Sequence, residues 1–102
     1  MSRLAELVEN GHGPILTGEA GTIDGGGLQR LGESVAELAD WVDAINATDN
    51  PAAHAHASNV AVAIALKQLD LEPVLQVVCR DKNRLACQAD IVGAALHGVE
   101  NV

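Results

Sequence analysis

Apolar and polar positions along the chain alternate between two rhythms. Short continuous apolar runs read as buried strands, and stretches with apolar residues every three or four positions read as helices with one buried face. Ser2–Asn10 opens as a short helix with Leu4, Leu7 and Val8 on one face, and Gly11 stops it. Pro14-Ile15-Leu16-Thr17 is the first predicted strand, ending near Glu19, and the glycine-heavy stretch Gly21–Gly27 follows. Leu28, Leu31, Val35, Leu38 and Val42 then mark the apolar face of a long helix, with Glu33, Glu37, Asp40 and Asp43 largely off it. Ala44–Thr48 predicts a second strand, and Asp49-Asn50-Pro51 a turn with Pro51 at the first helical position. An alanine-rich helix from about Ala52 to Leu69 carries Val60, Ile64 and Leu66.

After the break at Glu72-Pro73, Val74-Leu75-Gln76-Val77-Val78-Cys79 is the clearest strand, apolar enough to be covered on both faces. Asp81 is placed to cap the next helix, whose inward face is expected from Leu85, Ala89, Val92 and Leu96, with Val99 just beyond and Gly98 as the C-terminal cap. Glu100-Asn101-Val102 reads as the approach to a fourth strand.

Strands alternating with long helices argue for βαβ units and a parallel sheet. The predicted strand ends repeat, 29 residues from Glu19 to Thr48 and 31 from Thr48 to Cys79. Eight such units make a barrel of about 250 residues, so 102 residues hold only its first three βα units, behind a short N-terminal helix. The expectation is a single α/β domain over residues 1–102, a barrel left incomplete at the fourth strand. An open three-stranded sheet leaves two unpaired edges.

Composition narrows the chemistry. With 14 Asp and Glu against 6 Lys and Arg, the net charge of −8 repels phosphate backbones, and no basic stripe or stacking platform is present, so nucleic acid is set aside as a partner. Trp41 is the one aromatic residue, so the core must be aliphatic. No run approaches the ~20 apolar residues of a membrane span, and Glu6 and Glu9 interrupt any leader pattern. Cys79 and Cys87 are not a CxxC pair; both are expected as buried small hydrophobes, which suits a reducing cytosol.

Chemistry in a parallel α/β fold gathers beyond the carboxyl ends of the strands. Three clusters fall there: Thr17-Gly18-Glu19, Asn46–Asn50, and Gln76–Asp81. The glycine-rich loop lacks both the Lys-Ser/Thr of a P-loop and GxGxxG spacing, so it reads as a mobile loop. His12, His54, His56 and His97 have no ligand spacing, and no metal site is expected. Arg80, Asp81, Lys82 and Arg84 read as a solvated helix start placed where ligand contact is favoured.

Asn46-Ala47-Thr48-Asp49-Asn50-Pro51-Ala52-Ala53, Glu72–Leu85 with its Cys-Arg-Asp-Lys-Asn-Arg run, and the tail Ile91–Val102 together resemble the methylenetetrahydrofolate reductase family over most of the chain from about Ile15. The resemblance implies an eight-stranded (β/α) barrel with FAD at the carboxyl ends of its strands. It implies passage of a hydride from NADH or NADPH through the flavin to methylenetetrahydrofolate, giving methyltetrahydrofolate in one-carbon metabolism. By position, Glu19 matches the family's general acid, which protonates the folate so that the reducible iminium forms. Thr48 and Asp49 fall where the second strand's end meets nicotinamide and flavin, and Gln76 where the third approaches the flavin. Ala20–Gly25 stands where the family often has a Pro-Pro-basic run, and the family's Gly-Asp signature would come just past Val102. The 102-residue chain alone is therefore expected to be inactive and to hold FAD weakly. A homo-oligomer is left open, and a free-standing, non-catalytic α/β interaction module is the rival reading.

Overall fold

A computed structural model describes residues 1–11 and 13–102; His12, one of the four histidines considered above, lies outside them. The described residues form α1 (Arg3–Asn10), β1 (Thr17–Glu19), α2 (Gly27–Ala39), β2 (Ala44–Ala47), a short 3₁₀ turn (Pro51–Ala53), α3 (Asn59–Gln68), β3 (Pro73–Leu75) and α4 (Arg84–Leu96). The strands are parallel and lie in the order β1-β2-β3. This is the α/β alternation the sequence predicts.

The sheet has two unlike faces, and strand parity sets them. Ile45, Ala47 and Leu75 turn toward the helices and pack with Leu31 and Val35 of α2, Val62 and Leu66 of α3, and Ala94 of α4. Gly18 faces the same way: a Cβ there would collide with the Leu38 side chain of α2, so this strand residue can only be glycine without repacking. Helices α2, α3 and α4 thus share one face of the sheet. Thr17, Glu19 and Asn46 belong to the other face, where the Asn46 amide reaches the Thr17 hydroxyl at 3.5 Å.

α1 docks at the amino ends of the strands. The Ser2 hydroxyl caps α1 by accepting from the Ala5 amide at 3.0 Å and donates to Asn101 Oδ1 at 2.6 Å, while the Leu4 amide donates to Glu72 at 3.3 Å. Asn101 in turn makes a parallel bridge to Val74, and the Leu75 amide donates to its carbonyl at 2.9 Å. The predicted approach to a fourth strand is therefore present as one isolated parallel bridge on the free side of β3.

Several boundaries differ from the expectation. β1 begins at Thr17 rather than Pro14, because Leu16 instead exchanges bonds with Asp43 just before the ladder starts. β3 ends at Leu75 rather than Cys79: its neighbour β2 stops at Ala47, so beyond Gln76 there is no strand to pair with. α3 begins at Asn59, not Ala52. Asn50, Ala52 and Ala53 have left-handed backbone angles (φ 45°, 57° and 59°), which no α-helix contains, and Ser58 supplies the cap by accepting from the Ala61 amide. Asn83, not Asp81, caps α4, because Asp81 is taken by Arg80.

The largest correction concerns α4. Its predicted inward stripe faces solvent, with Leu85 75%, Val92 70% and Leu96 82% exposed. The helix is rolled so that Ala94 packs inward, and two fixtures set that roll. At its end, Gly98 (φ 80°) lets the Gly98 and Val99 amides bond to Ala95 and Ala94, which seats Val99 in the core. Along its length, Asp90 is held by Lys82. The cysteines also depart from the expectation: Cys79 is exposed and Cys87 half-buried, because the chain after Leu75 has left the sheet. Among the described residues no helix is long and apolar enough to cross a membrane.

Candidate functional site

Parallel strands all end on the same side, so the three clusters marked by the sequence come together at one rim of the sheet. Glu19 is the last residue of β1, in register with Asn46, which is in register with Val74. Two residues on, Thr48 and Gln76 continue the same parity and are both half-buried. Glu19, Thr48 and Gln76 therefore belong to the helix-free face at the carboxyl rim. Glu19 is exposed and its carboxylate has no side-chain partner among the described residues.

Asp49 has the opposite parity and a different situation. Its side chain is 2% exposed. One carboxylate oxygen accepts from the Val78 amide and from the Lys82 ammonium, both at 2.9 Å, and the other from the Asn50 amide group at 3.3 Å. Lys82 also reaches Asp90 at 2.7 Å. Burial by itself would lower the Lys82 pKa; its hydrogen bonds to Asp90 and Asp49 outweigh that and hold the ammonium above its usual value. Asp49 thus ties the β2 rim to the segment after β3 and to α4. Its carboxylate is committed to the protein's own amides and ammonium, while Thr48 beside it remains at the rim.

Two further anchors escape a reading by motif. Asn59 is 1% exposed at the start of α3 and donates to the Gln76 carbonyl at 2.7 Å, fixing the backbone that carries Gln76; its Oδ1 has no partner among the described residues. A lone Asn inside an alanine-rich apolar stretch is the signal that could have marked it, since a buried amide needs a partner. The second is Asp24, which holds the His56 imidazole at Nδ1 (2.8 Å) across the rim, joining the glycine-rich loop to the segment before α3. Gly25, Gly26 and Gly27 run at φ 141°, 79° and 66°, so the glycine cluster is the left-handed lead-in to α2.

The loop after β2 is strained. Three non-glycine residues in left-handed backbone, each costing roughly 1–2 kcal/mol, lie within Asn50–Ala53. The turn is held by the Asn50 side chain, which accepts from the His56 amide at 3.1 Å, and by the Ala53 amide donating to the Asn50 carbonyl. Strain stored at a strand's carboxyl end is where functional loops put it. Arg80 and Asp81 form an exposed pair at 2.6 Å; the shared hydrogen bond lowers the Asp81 pKa and raises that of Arg80. Burial, with the nearby Cys79 thiol, pushes the Cys87 thiol up. Among the described residues no group of His, Cys, Asp and Glu is arranged to hold a metal ion. On the helix side of the rim, an apolar cavity of about 300 Å³ opens between the glycine-rich loop at Ile23 and the starts of α2 and α3, lined by Leu28, Leu31, Ala61 and Val62.

The chain matches no protein-family model, no curated protein and no solved structure.

Proposed function

We propose that the chain is the opening part of a (β/α)8 flavin-dependent reductase that converts methylenetetrahydrofolate to methyltetrahydrofolate with NADH or NADPH. The observation that carries the proposal is the common rim: Glu19 ends β1, and Thr48 and Gln76, likewise singled out by resemblance, come directly after the ends of β2 and β3, the neighbouring parallel strands. In a closed barrel the helix-free face becomes the interior, and the rim becomes the mouth where such folds work. Further βα units, paired first where Asn101 meets Val74, complete the pocket.

Each residue then has a task its position allows. Glu19, whose carboxylate has no side-chain partner among the described residues, supplies the proton that opens the folate's five-membered ring. Thr48 and Gln76 offer hydroxyl and amide groups to the flavin edge, where FAD would bind and supply the hydride relay. Asp49, Lys82 and Asn59 hold the rim segments in place. Where the resemblance puts Asp49 against cofactor, its buried ion pair favours a positioning role.

The test is direct. The protein encoded by the complete reading frame should purify with FAD, and NADH or NADPH should bleach that flavin. Methylenetetrahydrofolate should then reoxidise it. Absence of flavin together with absence of nicotinamide-dependent folate reduction overturns the proposal and favours the non-catalytic module.

A further inference from the structure

The exposed stripe on α4 is not explained by an unfinished barrel. At ~100° per residue, Leu85, Val92 and Leu96 lie roughly 160–200° around the helix from Ala94, the residue that packs inward. They point away from the sheet. A neighbouring helix added at the sheet's edge would flank α4 at its side, near Ile91 and Gln88, and leave this stripe outward. Among the described residues nothing covers it.

The geometry points to a second copy of this chain, paired through α4 in an antiparallel two-fold helix pair. Leu85, Ala89, Val92 and Leu96 are spaced by four, three and four residues, the spacing of a coiled-coil seam. The seam is complementary to itself when reversed. Leu85 meets the second copy's Leu96 at each end, and Ala89 meets its Val92 in each middle layer, so large and small layers coincide. Its flanks are Ala86, Gly93, Gln88 and Ala95, with no charge to repel a copy.

Charge complementarity sets the direction. Arg84 is the first residue of α4 and forms no ion pair among the described residues, although a cation is unfavourable at a helix N-terminus. Antiparallel pairing brings it beside the second copy's helix C-terminus, where the dipole favours a cation. Parallel pairing would set two Arg84 side chains together. This inference does not depend on the proposed enzyme.

Sedimentation velocity of the 102-residue chain across ~10–500 µM tests it, a range set by a three-turn seam smaller than standard interfaces. The weight-average mass should rise toward twice that of the monomer. Added salt should strengthen the association, because each chain carries −8. Leu85→Glu and Leu96→Lys should each weaken it by about tenfold or more. Mixing the two variants should restore it, since the carboxylate introduced in one chain then faces the ammonium introduced in the other. Both variants should keep the wild-type helicity by circular dichroism at low concentration, because the substituted residues are outside the core. A folded wild-type chain that stays monomeric overturns the inference. So does a dimer indifferent to either substitution, or a variant that loses helicity when monomeric.

Discussion

At the scale of single residues, the rim divides into groups free to act and groups that hold. Glu19 has an open carboxylate, whereas Asp49 is buried and fully engaged by Val78, Lys82 and Asn50. Removing one partner of such a set leaves the other desolvated and unpaired, so Asp49→Ala should cost about 2–4 kcal/mol in urea unfolding. A loss below about 0.5 kcal/mol would mean the pair is replaced by water, as exposed pairs are. Lys82 adds a pH dependence of definite sign. Its folded pKa is raised above the ordinary 10.5, so its stabilisation is complete below that pH and is lost as pH rises through the folded value. The midpoint of urea unfolding should therefore fall at alkaline pH, and Lys82→Met should show a shallower fall. These anchoring roles were hidden in the sequence. Asp49 was legible as a polar residue at a strand end, but parity, which separates it from Thr48 one position earlier, depends on where β2 stops.

At the scale of elements, the alternation of strand and helix was legible because each strand is a short apolar run and each helix a longer periodic one. The boundaries were less so, and α3 shows why. Its alanine-rich lead, Ala52 to Ala57, has good helix propensity, yet the strand-end loop needs that length to carry His56 to Asp24 and turns left-handed at Asn50, Ala52 and Ala53. Tertiary demand overrides a weak local preference. The helix therefore starts where Ser58 can accept from the Ala61 amide. Ser58→Ala should destabilise the chain by about 1 kcal/mol, lowering the thermal midpoint by several degrees. Ala52→Ser should not compensate, because that residue precedes no helix. An unchanged midpoint in Ser58→Ala would mean the cap is dispensable. α4 departs from its pattern for a different reason. Periodicity identifies an apolar face but does not say what it meets, and here Ala94 and the Gly98 turn, not the leucines, face the sheet.

At the scale of the whole molecule, three sequential parallel strands carry their helices on one face, and their carboxyl ends share a rim. Asn101 makes an isolated parallel bridge to Val74 on the free side of β3, and α1 lies at the amino end of the strands, opposite the rim. The sequence made this arrangement legible because a parallel order follows from the crossover helices. The proposed reductase rests most heavily on Glu19 as proton donor to the folate, a step separate from hydride transfer to flavin. Stopped-flow measurement of the two half-reactions in the flavin-loaded, complete protein separates them. Glu19→Gln should leave flavin reduction by nicotinamide nearly intact and slow flavin reoxidation by methylenetetrahydrofolate by about 10²–10⁴-fold, the usual scale for a general acid. Small, equal losses in both half-reactions would contradict the account and leave Glu19 as part of the scaffold.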